Sequence, residues 1–418
     1  MTGPLTGYRG IVLTQAWAGS YATQLLGMLG AEIIQVEFHG RPDSWRGSYD
    51  RPIPDTVADA PGAAADQHPW NVNPLYNSVN LSKQCITLDL TDPEGVDLFK
   101  RLVLLADFVA ENFAPRVLSN LGIEYEALRH IKSDIIVCSL SAFGNNGPWR
   151  DVPGIGGTIE PISGMSSLLG YEDGPPLNSG QMYPDAAAGL NGFAGIVTAL
   201  MHREMTGEGQ YVDLSMQESS LAFIGDALLE ERMTGNVRGR RGNRHMTFAP
   251  HGIYATADDK WLALAAETES QWMTLCEVAG GNGWLEDIRF SNNAARKANE
   301  DALDAEITAW VGGHKRDDLA GRLSNAGVIA APVLDAHEVA DDETLRERGF
   351  IVEIDHPEAG THPHSGIPVQ FSGTPVMVSR HAPLQGQHTQ EVLERLLGLK
   401  EDEYADLVNR GITGAGPS

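Results

Sequence analysis

Asp185 stands directly before a glycine- and alanine-rich stretch, a position where an aspartate can either cap a helix or take part in chemistry. The stretch AAAGLNGFAGIVTALMHRE predicts a long helix over residues 186–204 that stops at Gly207, and its small residues indicate close approach to another element. An aspartate at such a position is most often an N-cap. The partial positive charge of a helix N-terminus also favours an ionised carboxylate, which could act as a nucleophile without a separate base.

The sequence lacks several short motifs that indicate other kinds of chemistry. It contains no GxxxxGK[ST] phosphate loop, no HExxH, no GxSxG and no GxGxxG, and the nearest segment, Gly154-Ile-Gly-Gly157, lacks the third glycine. Cys85, Cys138 and Cys276 occur singly in apolar stretches, which is typical of small buried residues rather than disulfides or metal ligands. We therefore expect an enzyme that uses acids, bases and backbone amides, with no metal site.

The charge of the chain excludes several classes of partner. Its 418 residues carry a formal net charge of -26, which repels phosphate backbones, and no basic patch is large enough to favour nucleic-acid binding. No run of the sequence approaches the roughly 18 apolar residues of a membrane span. The first residues, MTGPLTGYRG, lack the basic and apolar regions of a signal peptide. We expect a cytoplasmic protein that binds neither nucleic acid nor membrane.

The first third of the chain alternates short β-branched runs with helical patterns, which predicts an α/β fold with a parallel, doubly wound, Rossmann-like sheet. Thr91 and Glu94 around Pro93 predict a capped helix start, and Gly30 and Gly122 predict helix stops. The expected strands are Ile11–Thr14, Glu32–Glu37, Ile86–Leu90, Phe108–Ala110 and Ile135–Leu140.

The rest of the chain divides by composition. Residues 1–225 are expected to form the first part of a large domain, 226–335 a smaller α+β domain with its linkers, and 336–418 a return to the large domain. The further expected elements are a surface loop over residues 42–73, a strand over Gln210–Met216, a helix over Gln217–Thr234, an apolar strand PVQFSG at 368–373, and a helix over Thr389–Leu397.

An ordered series of short segments runs through nearly the whole chain. The landmarks are Ala18-Gly-Ser, Leu29 to Glu37, Asp43-Ser-Trp-Arg46, Asn80-Leu-Ser-Lys83, Ala106 to Phe113, Tyr183-Pro-Asp185 with Gly189, and Arg203 to Gln210. Singly these segments are weak, but in this order they are specific. The chain resembles the class III CoA-transferases, the family that contains formyl-CoA transferase, carnitine CoA-transferases and the related alpha-methylacyl-CoA racemases.

The resemblance implies a catalytic role for Asp185. A carboxylate that attacks an acyl-CoA thioester forms a mixed anhydride about as activated as the thioester, and an aspartyl-CoA thioester follows. CoA could then pass to a second carboxylic acid, for example a small dicarboxylate, without ATP. Backbone amides of the glycine-rich neighbourhood could stabilise the developing oxyanion. The resemblance further implies an interlocked homodimer, with CoA as a substrate rather than a permanently bound cofactor.

The resemblance also indicates which residues contact CoA. We add Arg46 and Arg116, because the 3′-phospho-ADP group needs cations and the chain offers few. Basic positions expected near the nucleotide are occupied here by Phe38, Asn120 and Ser141, so the phosphate contacts must be redistributed. The expected CoA contacts are Gln15, Ala16, Ala18, Lys83, Asn112 and Phe113, together with Arg46 and Arg116.

Two other functions stay open at this point. An isomerase exchanging a proton beside the thioester would need a base opposite an acid. The racemase branch has a His-Asp pair where this chain has Ile155 and Gly156. A CoA-binding protein without turnover is the other alternative. The basic stretch from Arg238 to Arg244 is either an interdomain linker or a mobile cover whose Arg241, Asn243 and Arg244 contact the substrates.

Overall fold

The computed structural model of the chain describes residues 3–47, 68–281 and 283–416. It divides into two units. The first contains residues 1–166, 178–237 and 343–418, and the second contains residues 167–177 and 238–342. The second unit therefore includes the segment 167–177, which the sequence-based boundaries left in the first domain. The expected surface loop over residues 42–73 lies largely outside the described residues.

The first unit is built on a six-stranded sheet in which every pair of neighbours is parallel. The strand order is β3-β2-β1-β4-β5-β6, so the order reverses between β1 and β4. In such sheets the crevice beyond the carboxyl ends of the strands at the reversal is where ligands bind. The strands are β1 (Arg9–Leu13), β2 (Glu32–Glu37), β3 (Gln84–Thr87), β4 (Phe108–Glu111), β5 (Ile136–Ser141) and β6 (Tyr211–Ser215). The predicted parallel sheet is confirmed.

Helices cover both faces of this sheet. Alternate side chains of β1 enter opposite cores: Ile11 packs in one buried cluster with Phe99 and Leu393, and Val12 packs in the other with Leu26 and Ile196. The doubly wound arrangement is therefore confirmed.

The helices of the described residues follow in sequence order. They are α1 (Ala18–Met28), α2 (Pro74–Val79), α3 (Pro93–Val103), α4 (Arg116–Asn120), α5 (Tyr125–Ile131), α6 (Gly156–Ile162), α7 (Tyr183–Thr206), α8 (Met216–Leu221), α9 (Gly225–Thr234), α10 (Glu269–Val278), α11 (Asn293–Ala298), α12 (Glu300–Val311), α13 (Arg316–Asn325), α14 (Ala336–Ala340), α15 (Glu343–Glu347), α16 (Thr389–Leu397) and α17 (Glu401–Asn409). Among the described residues, no helix is both long enough and apolar enough to cross a membrane.

The long helix α7 begins earlier than the sequence pattern indicated. It starts at Tyr183, so Asp185 lies inside the first turn and the N-cap position belongs to Met182. The interpretation of Asp185 as an ordinary N-cap is therefore wrong. The helix ends where expected, at Gly207, whose φ of 77° is the left-handed conformation that glycine adopts without steric cost.

Glycines let α7 pack closely against α1 and the sheet. A Cβ atom on Gly189 would lie 2.9 Å from the carbonyl oxygen of Ala18 in α1, and one on Gly192 would lie 2.5 Å from a methyl carbon of Leu140 in β5. The close approach expected from the small residues of this stretch is therefore made within the chain. It fixes α7, and with it Asp185, against the first turn of α1.

The second unit has its own antiparallel sheet, with strand order β7-β8-β9. The strands are β7 (His251–Ala255), β8 (Trp261–Ala265) and β9 (Ile329–Pro332). Its core contains Trp272, Trp284 and Phe290. An antiparallel sheet packed against helices makes this the smaller α+β unit that we expected.

Several local predictions differ from the structure. The strand expected over Ile86–Leu90 is β3 (Gln84–Thr87), which begins and ends earlier. The segment PVQFSG at 368–373 is not a strand; the strands of the tail are β10 (Ile351–His356) and β11 (Gly360–Ser365), which pair with each other. The helix expected over Gln217–Thr234 is divided into α8 and α9 by a short 3-10 turn at Ala222–Ile224. The cap of α3 is Asp92 rather than Thr91, since Asp92 accepts a hydrogen bond from the Glu94 N–H.

Candidate functional site

The turn that follows β1 is held in a strained conformation at the reversal of strand order. Ala16 has a φ of 53°, which costs a non-glycine residue about 1–3 kcal/mol. Two side chains hold this turn. Asn112, directly after β4, accepts a hydrogen bond from the Gln15 N–H (2.7 Å) and donates one to the Gln15 carbonyl (2.8 Å). Both carboxylate oxygens of Asp43 accept from the Ala16 N–H, at 2.9 and 3.0 Å.

A cavity of about 500 Å³ lies at the carboxyl ends of β1 to β4. Gln15 and Phe113 line it, which places two of the predicted CoA contacts in the crevice that the strand order predicts for a ligand. Asn112 does not line this cavity but positions Gln15. Sequence and topology therefore agree on where a nucleotide-like ligand would lie.

Two arginines line the same cavity. Arg116 begins α4, as the sequence analysis expected, and Arg41 was not singled out there. Both are exposed, while Phe38 lines the wall at a position where the resemblance led us to expect a basic residue. Arg41 lies three residues after Phe38 and forms a backbone bridge with it. Arg41 therefore supplies a positive charge beside Phe38 in the cavity wall, three residues after the position where a basic residue was expected.

Asp185 faces the first turn of α1 and the start of α6. Its carboxyl oxygen Oδ2 lies directly against Gly156, the first residue of α6. This oxygen is buried and has no hydrogen-bond partner among the described residues. Met182, three residues before it, adopts a left-handed conformation with a φ of 46°. A buried carboxylate oxygen without a partner is costly for folding, which is typical of a group retained for chemistry.

The environment of Asp185 changes its acidity. Burial raises its pKa from 3.8 to about 6, and backbone N–H groups of Ala18, Asp185 and Gly156 partly oppose that rise. These groups favour the charged form although none makes a hydrogen bond to Oδ2. We expected the helix N-terminus to control the acidity, but desolvation outweighs it. With a pKa of about 6 the carboxyl is still mostly ionised at pH 7.

Arg46 does not face the CoA cavity. It is fully buried, and its guanidinium pairs with Glu37 at 2.9 Å, donates to the Pro383 carbonyl at 2.9 Å and stacks 3.6 Å from the centre of the Tyr76 ring. The expected contact with a CoA phosphate finds no support in this arrangement, because the donors are engaged inside the protein. Arg46 is a structural residue that secures the end of β2.

Lys83 is also fully buried. Its ammonium donates to the carbonyl of Ser20 in α1 (2.9 Å) and to the side chain of Asn80 (2.8 Å). Burial lowers its pKa to about 7, although the carboxylates of Asp43 and Glu37 oppose this shift. The geometry does not support a direct contact with CoA. Lys83 instead anchors the first turn of α1, which faces Asp185.

The basic stretch from Arg238 to Arg244 belongs to the second unit. Arg244 pairs with Asp301 (2.6 Å) and Asp304 (2.7 Å) on α12. Arg241 and Asn243 line a cavity of about 700 Å³ in the same unit. A role for this stretch as a cover over the substrates stays a prediction.

Comparison with known proteins identifies the family. The sequence profile described as CoA-transferase family III matches residues 5–389. The chain belongs to CoA-transferase family III. This membership confirms the resemblance inferred from the ordered segments and makes the protein an enzyme of the acyl-CoA:carboxylate CoA-transferase type.

Curated relatives and a solved structure match this family III CoA-transferase over nearly its full length. It is 33% identical to a succinyl-CoA–D-citramalate CoA-transferase of Chloroflexus aurantiacus, covering 97% of this chain and 96% of that protein. It is 32% identical to a succinate–glutarate CoA-transferase of Agrobacterium fabrum, covering 94% and 96%. The crystal structure of a CAIB/BAIF family protein from Brucella suis matches with a TM-score of 0.85 at 28% identity, covering 95% of this chain and 100% of that one.

The structure shows that two residues of this CoA-transferase, which sequence reasoning missed, contact the candidate site. Asp43 was quoted only as part of a landmark, yet it holds the strained turn at Ala16. Gly156 was noted only because it replaces the aspartate of the His-Asp pair in the racemase branch, yet it borders the Asp185 carboxyl. No sequence pattern reveals such contacts, since they join residues that are far apart along the chain.

No group of three or more His, Cys, Asp or Glu side chains in the described ranges is arranged to hold a metal ion.

Proposed function

We propose that this enzyme transfers CoA from an acyl-CoA donor to a free carboxylic acid through covalent intermediates on Asp185. The single observation that carries the proposal is the state of this carboxyl group. It is a mostly ionised carboxylate at neutral pH, has a buried oxygen without a hydrogen-bond partner, and lies against the first turn of α1. An uncommitted carboxylate of this kind is suited to nucleophilic attack.

The first half of the reaction moves the acyl group and then CoA onto the enzyme. A carboxylate oxygen of Asp185 attacks the thioester carbonyl, the C–S bond breaks, and CoA leaves as a thiolate while a mixed anhydride forms. The thiolate then attacks the side-chain carbonyl carbon of Asp185. The donor acid leaves as a carboxylate, and an aspartyl-CoA thioester remains. In the second half, the acceptor carboxylate attacks the aspartyl-CoA carbonyl and CoA leaves as a thiolate, which gives a second mixed anhydride. The thiolate then attacks the acyl carbon of the acceptor and releases the Asp185 carboxylate. No ATP is consumed.

Backbone amides can support both attacks. Each attack places negative charge on a carbonyl oxygen close to Asp185, where fixed N–H donors lower the barrier most effectively. The N–H groups of Ala18 and Gly156 already face this carboxyl. Ala18 begins α1, whose aligned peptides add partial positive charge at that end.

The segment that follows β1 connects this carboxyl with the CoA cavity. Gln15 lines the cavity, and Ala18, three residues later, faces Asp185. A CoA molecule whose nucleotide contacts Arg116 and Arg41 would therefore have its thioester end near Asp185. This arrangement supports Gln15, Phe113 and Arg116, with Arg41 added, as contacts of the nucleotide end. Ala16 and Ala18 lie along the path to Asp185, and Asn112 holds Gln15 in place.

We propose a small dicarboxylic acid as acceptor and the CoA thioester of a different small dicarboxylic acid as donor. The two relatives named above act on succinyl-CoA with D-citramalate and on succinate with glutarate, all of them short chains with a second carboxylate.

The interlocked homodimer also belongs to this proposal. It is supported by α9, in which no residue is buried within the single chain and Leu228, Leu229 and Met233 are exposed.

The test combines a substrate panel with replacement of the nucleophile. Succinyl-CoA and other acyl-CoA donors are incubated with a panel of carboxylic acids, and new thioesters are identified by mass spectrometry. Asp185→Asn keeps the size of the side chain but removes the charged nucleophile, so transfer should fall by about three orders of magnitude or more while CoA affinity and folding persist. With donor alone, hydroxylamine should modify the wild-type peptide that contains Asp185.

Asp318→Asn is the matched control, because Asp318 is likewise the third residue of a helix, α13, and is exposed. It should retain full transfer. Near-full activity of Asp185→Asn, or modification of another residue such as Glu160, would show that the nucleophile has been assigned wrongly.

A further inference from the structure

Gly156 leaves space for the Asp185 carboxyl. A Cβ atom placed on Gly156 would come within 1.8 Å of Oδ2 and 3.1 Å of Cγ of Asp185. Contacts below about 3 Å between such atoms are not tolerated, so the two groups cannot occupy these positions together. The same Cβ atom would also lie 2.9 Å from the Cβ atom of Met182.

The neighbouring glycine makes no such contact. A Cβ atom on Gly157, the next residue of α6, would meet nothing within 4 Å. Both glycines lie in the first turn of α6, and neither has the positive φ that would make glycine necessary for the backbone. The requirement for glycine at 156 therefore comes from contacts with the first turn of α7, chiefly with the Asp185 carboxyl and to a smaller extent with Met182, rather than from the conformation of α6.

From this contact we infer that Gly156 is a positioning residue for the transfer reaction. The absence of a side chain at 156 creates the space in which the carboxylate of Asp185 lies against the N–H of Ala18. This inference rests on the proposed role of Asp185 as the nucleophile.

The consequences of filling this space fall on Asp185 rather than on the fold. The closest collision is with Oδ2, at the end of a side chain that can rotate away. The contact with the Met182 Cβ atom at 2.9 Å is only slightly too short, so a small backbone shift relieves it. An added methyl group also favours the helix, because glycine inside a helix costs about 0.5–1 kcal/mol relative to alanine. The folded protein should therefore persist with a displaced nucleophile.

The test compares Gly156→Ala with Gly157→Ala in the full-length protein. Displacement of a reacting group by about 1 Å can cost roughly 100-fold in rate. We expect kcat of Gly156→Ala to fall by about that factor, with unchanged CoA affinity, a thermal midpoint that is not lowered and little hydroxylamine-trapped adduct at Asp185. Gly157→Ala should match the wild type in kcat, CoA affinity and adduct formation, and its thermal midpoint should likewise not be lowered.

A second readout separates displacement from a general loss of structure. In Gly156→Ala the displaced carboxyl becomes more hydrated, so the acid limb of the pH–rate profile should move to lower pH, toward the ordinary range of an aspartate. A purely structural defect would lower the amplitude of this profile without moving its midpoint.

Three results would overturn the inference. These are wild-type kcat in Gly156→Ala, equal losses in both glycine variants, and loss of CoA affinity together with a lowered thermal midpoint in Gly156→Ala alone. Failure of the proposed function is recognised separately, since it would appear as retained transfer in Asp185→Asn whatever the glycine variants do.

Discussion

Two carboxylates of the first unit, one fully buried and one half-buried, have opposite hydrogen-bonding environments. Glu37, at the end of β2, accepts hydrogen bonds from Arg46, Tyr76 and Cys85. Asp185, in the first turn of α7, has a buried oxygen that accepts none from the described residues. Burial would raise the pKa of Glu37, but the charge of Arg46 and these hydrogen bonds outweigh it and lower the pKa, whereas burial raises the pKa of Asp185 to about 6.

If Asp185 is the proposed nucleophile, the difference separates a structural charge from a reactive one. A buried carboxylate whose lone pairs are all engaged stabilises the fold around it and is unavailable to a substrate. A buried carboxylate that lacks partners raises the free energy of the folded state and remains free to form a bond. Burial alone therefore does not separate the two roles, but the number of hydrogen bonds does.

The largest expected effect on stability comes from breaking the satisfied pair. Arg46→Ala leaves Glu37 buried without its counter-ion, which should lower the free energy of unfolding by about 3–5 kcal/mol. Urea denaturation followed by circular dichroism measures this change. The control is Arg410→Ala, which removes an exposed ion pair with Glu94 and should shift the midpoint little. Equal shifts in the two variants would mean that burial of the Arg46 pair contributes nothing.

The next effect comes from neutralising the unsatisfied carboxylate. The pKa of Asp185 is raised on folding from 3.8 to about 6, so the folded state binds this proton more tightly than the unfolded state does. The contribution of Asp185 to stability therefore falls as the pH rises from about 4 to 6, by at most about 3 kcal/mol, and then stays constant. In Asp185→Asn the side chain does not titrate, so this pH-dependent decrease in stability is absent.

Urea denaturation of both proteins at pH 4 and pH 8 measures this effect. The stability of Asp185→Asn relative to wild type should increase between these two values, because all other titrating groups are shared. A difference that does not depend on pH would contradict the raised pKa.

The smallest effect is the loss of activity in acid. In the proposed mechanism the Asp185 carboxyl must be ionised, and a pKa of about 6 predicts that kcat/KM reaches a plateau above pH 7 and falls about tenfold from it by pH 5. Initial rates in buffers of constant ionic strength measure the profile. A midpoint near 4 would indicate a carboxyl group as accessible to water as that of a free aspartate.

Features set by local sequence could be predicted well. The hydrophobic run Glu32–Glu37 gave the bounds of β2, and the alternation of strands and helices gave the parallel sheet. The segment PVQFSG failed because a strand needs a hydrogen-bonded neighbour, and an apolar run does not reveal whether one is present. The strand predicted over Gln210–Met216 is the edge strand β6 (Tyr211–Ser215), although its place in the sheet was not predicted.

Features set by tertiary packing could not be predicted in this way. Arg46 was chosen because a phosphate needs a cation, but only the fold shows that its partner is Glu37. The acidity of Asp185 was expected to follow the helix N-terminus, which is visible in the sequence. It is dominated instead by burial, which depends on α1 and α6 packing around this carboxyl group.

The packing of α7 on α1 through Gly189 has a consequence for the evolution of substrate choice. Because the two backbones are in contact there, the distance from Asp185 to the first turn of α1 cannot be adjusted without moving both helices. Mutations that alter the surrounding loops can change the space around the carboxyl group without disturbing this helix pair. A lineage of such enzymes can in this way exchange one metabolite for another while inheriting the same reactive centre unaltered.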